Sequence, residues 1–297
     1  MCGIVGLFLK DKALEPQLGA LLTEMLITMT DRGPDSAGIA IYGAAGNRAK
    51  LTVQSDNPDQ DFATLADDLG AALGTPITLR ANDTHAVLEL PADQVEAARA
   101  LIADRPGRIM VMSDGDVIEI YKEVGLPRDV ASRFDLPAMS GTHGIGHTRM
   151  ATESAVTTEG AHPFSTGPDQ CLVHNGSLSN HNSLRRKLRR DGVRIESEND
   201  TEVGAAYLTW KMQNGATLGE ALEASLTDLD GFFTFVVGTK EGFGVVRDPI
   251  ACKPAVMAET DQYVAFGSEY RALVNLPGIE DAKVWEPEPA TVYFWSH

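Results

Sequence analysis

Apolar, glycine-punctuated strand-like segments recur along this chain, and they constrain its fold more than any other feature. CGIVGLFL (2–9) comes first, and SAGIAIY (36–42), THGIGHTRMAT (142–152) and QCLVHNGSL (170–178) follow. The last third adds GFFTFVVGT (231–239), GFGVVRD (242–248), PAVMAE (254–259), YVAFGS (263–268) and TVYFW (291–295). Apolar runs of this length bounded by turn residues read as buried strands, and their glycines mark places where backbone approaches something closely. Helices are expected near 16–30, where Leu18, Leu22, Met25, Leu26 and Met29 form one stripe, and at about 180–191, 200–213 and 217–227. Residues 48–140 differ: short strands alternate with amphipathic helices at 62–73 and 93–103, which suggests an inserted α+β module. It carries no chemical motif and reads as a structural or partner-contact unit. The class is therefore α+β. Two stacked sheets would bring the ends of strands near 2–6, 32–36, 147–152, 174–176 and 200 to one edge.

Composition narrows the function. The chain has 297 residues with 25 Lys+Arg against 42 Asp+Glu, a net charge of −17. That field repels phosphate backbones and anionic lipid, so neither nucleic acid nor a membrane is an expected partner. Cys2, Cys171 and Cys252 form no CxxC pair, which fits a reduced compartment. With no 18-residue apolar run and no signal-peptide pattern at its start, the chain reads as cytoplasmic. Walker, Rossmann and iron–sulfur spacings are missing, and His143 and His147 lie on a glycine-rich strand without an HExxH pattern.

Cys2 is the most informative position. If Met1 is removed, one residue carries both a thiol and a free α-amine, with reference pKa values of about 8.5 and 7.7–8.0. The amine then serves as general base for its own thiol, directly or through a water. The alternative is a chance cysteine on a buried strand. Asn175 and Gly176 offer a side-chain and a backbone N–H for a developing oxyanion, or else form a hairpin turn. Arg149 matches a carboxylate in a bidentate manner, or is a surface arginine. Asp200 suits an ammonium group, or else sits in a capping box of Asn199 and Glu202. A carboxylate clamp, an amine clamp and a thiol together describe attack on the side-chain amide of an α-amino acid.

These segments resemble those of the class II glutamine amidotransferases, a group of N-terminal-nucleophile hydrolases. The matching stretches, in family order, are Met1-Cys2-Gly3-Ile4-Val5-Gly6, Arg32-Gly33-Pro34-Asp35-Ser36-Ala37-Gly38, His147-Thr148-Arg149-Met150-Ala151-Thr152, His162-Pro163-Phe164, His174-Asn175-Gly176 and Asn199-Asp200-Thr201-Glu202. The resemblance implies a four-layer αββα sandwich over residues 1–297, interrupted by the module at 48–140. It implies Cys2 as nucleophile and base, Asn175 and Gly176 as oxyanion hole, Arg149 and Asp200 as glutamine clamps, and Thr152 and Arg32 as pocket and supporting residues. The substrate would be L-glutamine.

Two features depart from the family pattern. Met150 stands where an aromatic residue is common, and the interval from Arg32 to His147 is lengthened by the module. The likeness also runs to the end of the chain, so a domain that uses the ammonia is expected on another chain. The resemblance is strongest to the stand-alone amidotransferase subunits of glutamate synthase-like enzymes, including those of N-methylglutamate synthesis. No cofactor is expected on this chain, whereas FMN and an iron–sulfur cluster would sit on partner subunits. Two other readings remain: a free-standing γ-glutamyl amide hydrolase, and a non-catalytic assembly subunit. The basic helix at Leu184–Arg190 is either a solvated face or a docking surface.

Overall fold

The computed structural model describes residues 2–105, 107–151 and 155–297. Its largest sheet has seven strands in the order Lys283–Trp285, Val256–Glu259, Tyr263–Gly267, Gly3–Leu9, His143–Arg149, Ser36–Tyr42 and Ile118–Val124. A second sheet has five: Val292–Ser296, Gly242–Arg247, Gly231–Thr239, Gln170–Leu178 and Phe164–Gly167. The pairings between neighbouring strands are antiparallel.

Side chains alternate faces along a strand, so a strand apolar at every position has to be covered on both sides. The Gly3–Leu9 strand is buried throughout. Ile4 and Phe8 point between the sheets, where they meet Val173, Val236, Phe243 and Val245. Val5 and Leu7 point the other way, into a core with Leu18, Leu22, Met25 and Leu26 of the Leu18–Thr28 helix. The second sheet is covered on its far side by Val203, Ala206 and Tyr207 of the Asp200–Gln213 helix and Leu222 of the Leu218–Asp228 helix. The layers are therefore helix, sheet, sheet, helix, as expected from the sequence.

A separate four-stranded sheet, Thr78–Asn82, His85–Leu90, Ala49–Ser55 and Ile109–Gly115, packs on the Leu65–Leu73 and Val95–Ala103 helices around Leu51, Leu69, Leu88 and Ile102. The last strand of the 48–140 segment does not join it. It runs over Ile118–Val124 and pairs along Ser36–Tyr42 at the edge of the seven-stranded sheet. The cause is its two apolar faces: Ile118 and Ile120 enter the core between the sheets, and Tyr121 enters the core under the helices.

Antiparallel register gathers the chemistry-bearing segments. Gly3 pairs with Thr148, and Ser36 pairs with Arg149, so the start of the Gly3–Leu9 strand and the end of the His143–Arg149 strand lie side by side. No helix among the described residues is long and apolar enough to cross a membrane.

Candidate active site

Cys2 is half-buried and directly precedes the first strand. The strand start is fixed by two bonds with Ser268, whose Oγ accepts from the Ile4 N–H at 2.9 Å and whose N–H donates to the Ile4 carbonyl at 2.9 Å. The carbonyl oxygen of Cys2 accepts from Arg32 Nε at 3.0 Å and from Asn175 Nδ2 at 3.2 Å. Arg32 is buried, and its Nη1 pairs with Glu269 at 2.7 Å. The hydrogen bond from Arg32, with Arg271 beside it, holds the Glu269 carboxyl below its ordinary range. The structure thus places Arg32 as an anchor of the Cys2 backbone.

Asn175 and Gly176 do not form the tight turn expected for an Asn-Gly pair. They lie inside the Gln170–Leu178 strand, paired with Thr234 and Phe233. The ladder is satisfied on that side, so local turn preference gives way to sheet pairing. Glycine is nonetheless required: φ at Gly176 is +151°, and a Cβ there would lie 2.0 Å from the Phe232 carbonyl oxygen.

Arg149 ends its strand and is buried, with Nη1 donating to the Ala155 carbonyl at 3.2 Å. The turn beyond it is tied to the Gly33-Pro34-Asp35 loop. Asp35 Oδ2 accepts from the Ala151 N–H at 2.8 Å, and the Asp35 N–H donates to the Arg149 carbonyl at 3.1 Å. Thr152 lies outside the described residues.

Asp200 is the first residue of the Asp200–Gln213 helix. Asn199 is the N-cap, its side chain accepting from the Thr201 N–H at 2.9 Å. The expected capping box is not made. Glu202 turns instead to the N–H groups of Glu196 and Ser197, at 2.7 and 2.6 Å, and so secures the loop before the helix. Asp200 Oδ2 accepts from the Leu178 N–H at 2.9 Å, two residues beyond Gly176.

The sequence reading quoted His147, His162 and His174 within motifs but gave them no role. The structure packs them together behind the strand ends. His147 stacks on His162 with ring centroids 4.0 Å apart, and Thr201 Oγ1 bridges His162 Nε2 at 3.1 Å and His174 Nδ1 at 3.0 Å. His147 Nε2 donates to the His174 carbonyl at 3.3 Å. Burial lowers the pKa of all three, that of His147 to about 3. Asp200 Oδ1 lies 3.8 Å from His174 Nδ1. Among the described residues no group of three or more His, Cys, Asp or Glu is placed to hold a metal ion.

One cavity of about 610 Å³ lies between the four-stranded module and the second sheet, lined in part by Arg99, Lys122, Glu159, Phe164 and Glu202. It does not include Cys2, Arg149, Asn175 or Asp200.

Comparison with known proteins places the chain among relatives. A family model described as a glutamine amidotransferase domain matches residues 147–275. The glutamine amidotransferase-like protein GlxB of Rhizobium meliloti (strain 1021) is 69% identical over 298 residues, covering 100% of this chain and 99% of that one. A relative from Methanothermobacter thermautotrophicus is 36% identical, covering 99% of both chains. Among solved structures, the glutamine phosphoribosylpyrophosphate amidotransferase of B. subtilis, complexed with ADP and GMP, superposes with a TM-score of 0.63 at 19% identity. That match covers 99% of this chain and 47% of the other, so this chain spans about half its length, and the likeness shows a shared fold.

Proposed function

The chain belongs to the glutamine amidotransferase family and is an enzyme of that family, and we propose that Cys2 is its nucleophile, acting on the side-chain amide of L-glutamine. The observation that carries this reading is the contact between the Asn175 amide and the Cys2 carbonyl, which brings an N–H donor of the second sheet to the residue proposed as nucleophile.

In the proposed cycle Met1 is removed and the α-amine of Cys2 takes the thiol proton. The thiolate adds to the glutamine side-chain carbonyl carbon. Asn175 Nδ2 and the Gly176 N–H receive the oxyanion, the largest single contribution expected at such a site. Collapse breaks the C–N bond, the amine returns its proton to the leaving nitrogen, and ammonia departs from a glutamyl thioester. Water then cleaves the thioester, giving glutamate and free Cys2. Arg149 holds the substrate carboxylate and Asp200 its ammonium, while Arg32 keeps the Cys2 backbone fixed.

The ammonia passes to a separate glutamate synthase-like chain, of the kind that makes glutamate or N-methylglutamate and carries FMN and an iron–sulfur cluster. The test is steady-state glutaminase activity of the pure chain, with and without candidate partner subunits. Weak activity that rises on complex formation supports this reading. Full activity in the isolated chain favours a free-standing γ-glutamyl amide hydrolase.

A further inference from the structure

Residues 155–163 lead into the Phe164–Gly167 strand, and they cross the seven-stranded sheet at one place. Lys122, Gly38 and His147 stand in register on three neighbouring strands. At Gly38 the crossing backbone occupies the place of a side chain: a Cβ there would lie 2.0 Å from the His162 carbonyl oxygen. The His162 ring stacks on His147 on one flank. On the other flank the buried Lys122 ammonium donates to the carbonyls of Ala161 at 2.8 Å, Glu159 at 3.3 Å and Pro163 at 3.3 Å. It also lies 4.4 Å from the centroid of the Phe164 ring. The adjoining Glu123 accepts from Thr158, and the Glu159 carboxylate pairs with Arg108 of the module.

Residues 155–163 reach Arg149 and both chain neighbours of Asp200. Arg149 donates to Ala155, Asn199 Nδ2 donates to the Gly160 carbonyl at 3.3 Å next to Asp200, and His162 meets Thr201 on the other side of Asp200. We propose that Lys122 is a positioning residue of the glutamine site, holding segment 159–163 so that Arg149 and Asp200 keep the spacing of an α-amino acid's carboxylate and ammonium. This rests on the reading of those two residues as the substrate clamps.

An ammonium has three N–H groups for the three carbonyls, whereas a neutral amine has two and turns its lone pair on the third. Charge on Lys122 is therefore part of the grip. Burial pushes its pKa down to about 8, against Glu202, Glu159 and Glu196, which favour the charged form. The other ionisable groups facing it are two histidines, His85 and His162, whose burial keeps them neutral. The grip is complete below pH 8 and loosens as pH rises through that value.

The experiment measures glutamine binding by calorimetry from pH 6.5 to 9.5 on the Cys2→Ala chain, alone and with Lys122→Met or Lys122→Arg added. Hydrogen exchange over 155–164 and thermal melting are followed in parallel. In the parent the glutamine Kd is expected to rise as pH passes 8. Lys122→Met should weaken binding at pH 7 by about tenfold or more, flatten that pH dependence and speed exchange over 155–164. Lys122→Arg, which keeps its charge, should bind within about threefold of the parent at pH 7 and show only the later alkaline loss that deprotonation of the glutamine ammonium imposes on every variant. A folded Lys122→Met chain that binds glutamine as tightly as the parent, or a parent whose pH dependence matches that of Lys122→Arg, overturns the inference. A parent that binds no glutamine overturns the reading of the clamps, and the inference with it.

Discussion

The amide nitrogen of Asn175 lies 3.2 Å from the carbonyl oxygen of Cys2, joining the second sheet to the first strand of the first sheet. Arg32 approaches the same oxygen at 3.0 Å. One atom of the proposed nucleophile is thus held from two directions, by a strand of the other sheet and by the loop after the first helix. A nucleophile at a chain terminus would otherwise lose position by fraying.

Asn175→Ala removes a donor aimed at the reacting residue. Loss of one such donor typically lowers kcat by about 10²–10³. The buried hydrogen bond to Cys2 is lost too, at a cost of about 1 kcal/mol in stability. Steady-state kinetics should show the drop in kcat with KM changed little. A chain retaining wild-type kcat would return Asn175 to a purely structural role.

Asp200→Asn keeps an oxygen for the Leu178 N–H, so the helix start should survive. The charge-assisted contact with the substrate ammonium is lost, at about 2 kcal/mol or more, which is about thirtyfold in KM. An unchanged KM would leave Asp200 as a helix-terminal residue that ties down Leu178.

Much of this was legible in the sequence, for identifiable reasons. Strands apolar on both faces, such as Gly3–Leu9, announced layers on both sides, and the helical stripe from Leu18 to Met29 announced what covers one of them. Motif order singled out Cys2 and Arg149, which lie at strand ends, but also set Asn175 and Asp200 there, whereas Asn175 lies inside its strand and Asp200 begins a helix. Sheet partnership was not legible. Ile118–Val124 looks like a module strand because period-two patterning identifies a strand without naming its neighbour. Asn175-Gly176 carries the local signature of a turn, and only the ladder to Thr234 and Phe233 overrides it. The Lys122 grip and the histidine cluster draw on segments far apart in sequence, with no spacing to betray them.

Gly38→Ala should be costly although alanine is small. The new methyl meets backbone at His162, which moves only if the whole crossing segment moves. The expected destabilisation is about 1–3 kcal/mol, read as a lower denaturant midpoint with unchanged slope. A variant with the wild-type midpoint would show that the segment is free to shift.

Acid should destabilise the protein earlier than its carboxylates alone would. Burial pushes His85, His143 and His147 down to about 3, and His162 and His174 are lowered as well. In the unfolded chain these groups bind protons below about pH 6.5, which the folded chain does not, so stability falls as pH drops through 6.5. Each such histidine costs up to about 2 kcal/mol at pH 5. Denaturant midpoints at pH 7.5 and pH 5 should differ accordingly. Equal midpoints would contradict the burial of neutral imidazoles.

The central claim, a processed Cys2 that attacks glutamine, is tested most directly by intact mass and peptide mapping after treatment with a glutamine-analogue diazo-ketone. Cys171 is buried and Cys252 is exposed, so indiscriminate thiol reactivity would appear at Cys252. The expected result is a chain lacking Met1 that carries one adduct on Cys2, blocked by excess glutamine. A chain that retains Met1 and takes no label, or takes it at Cys252, would contradict the account.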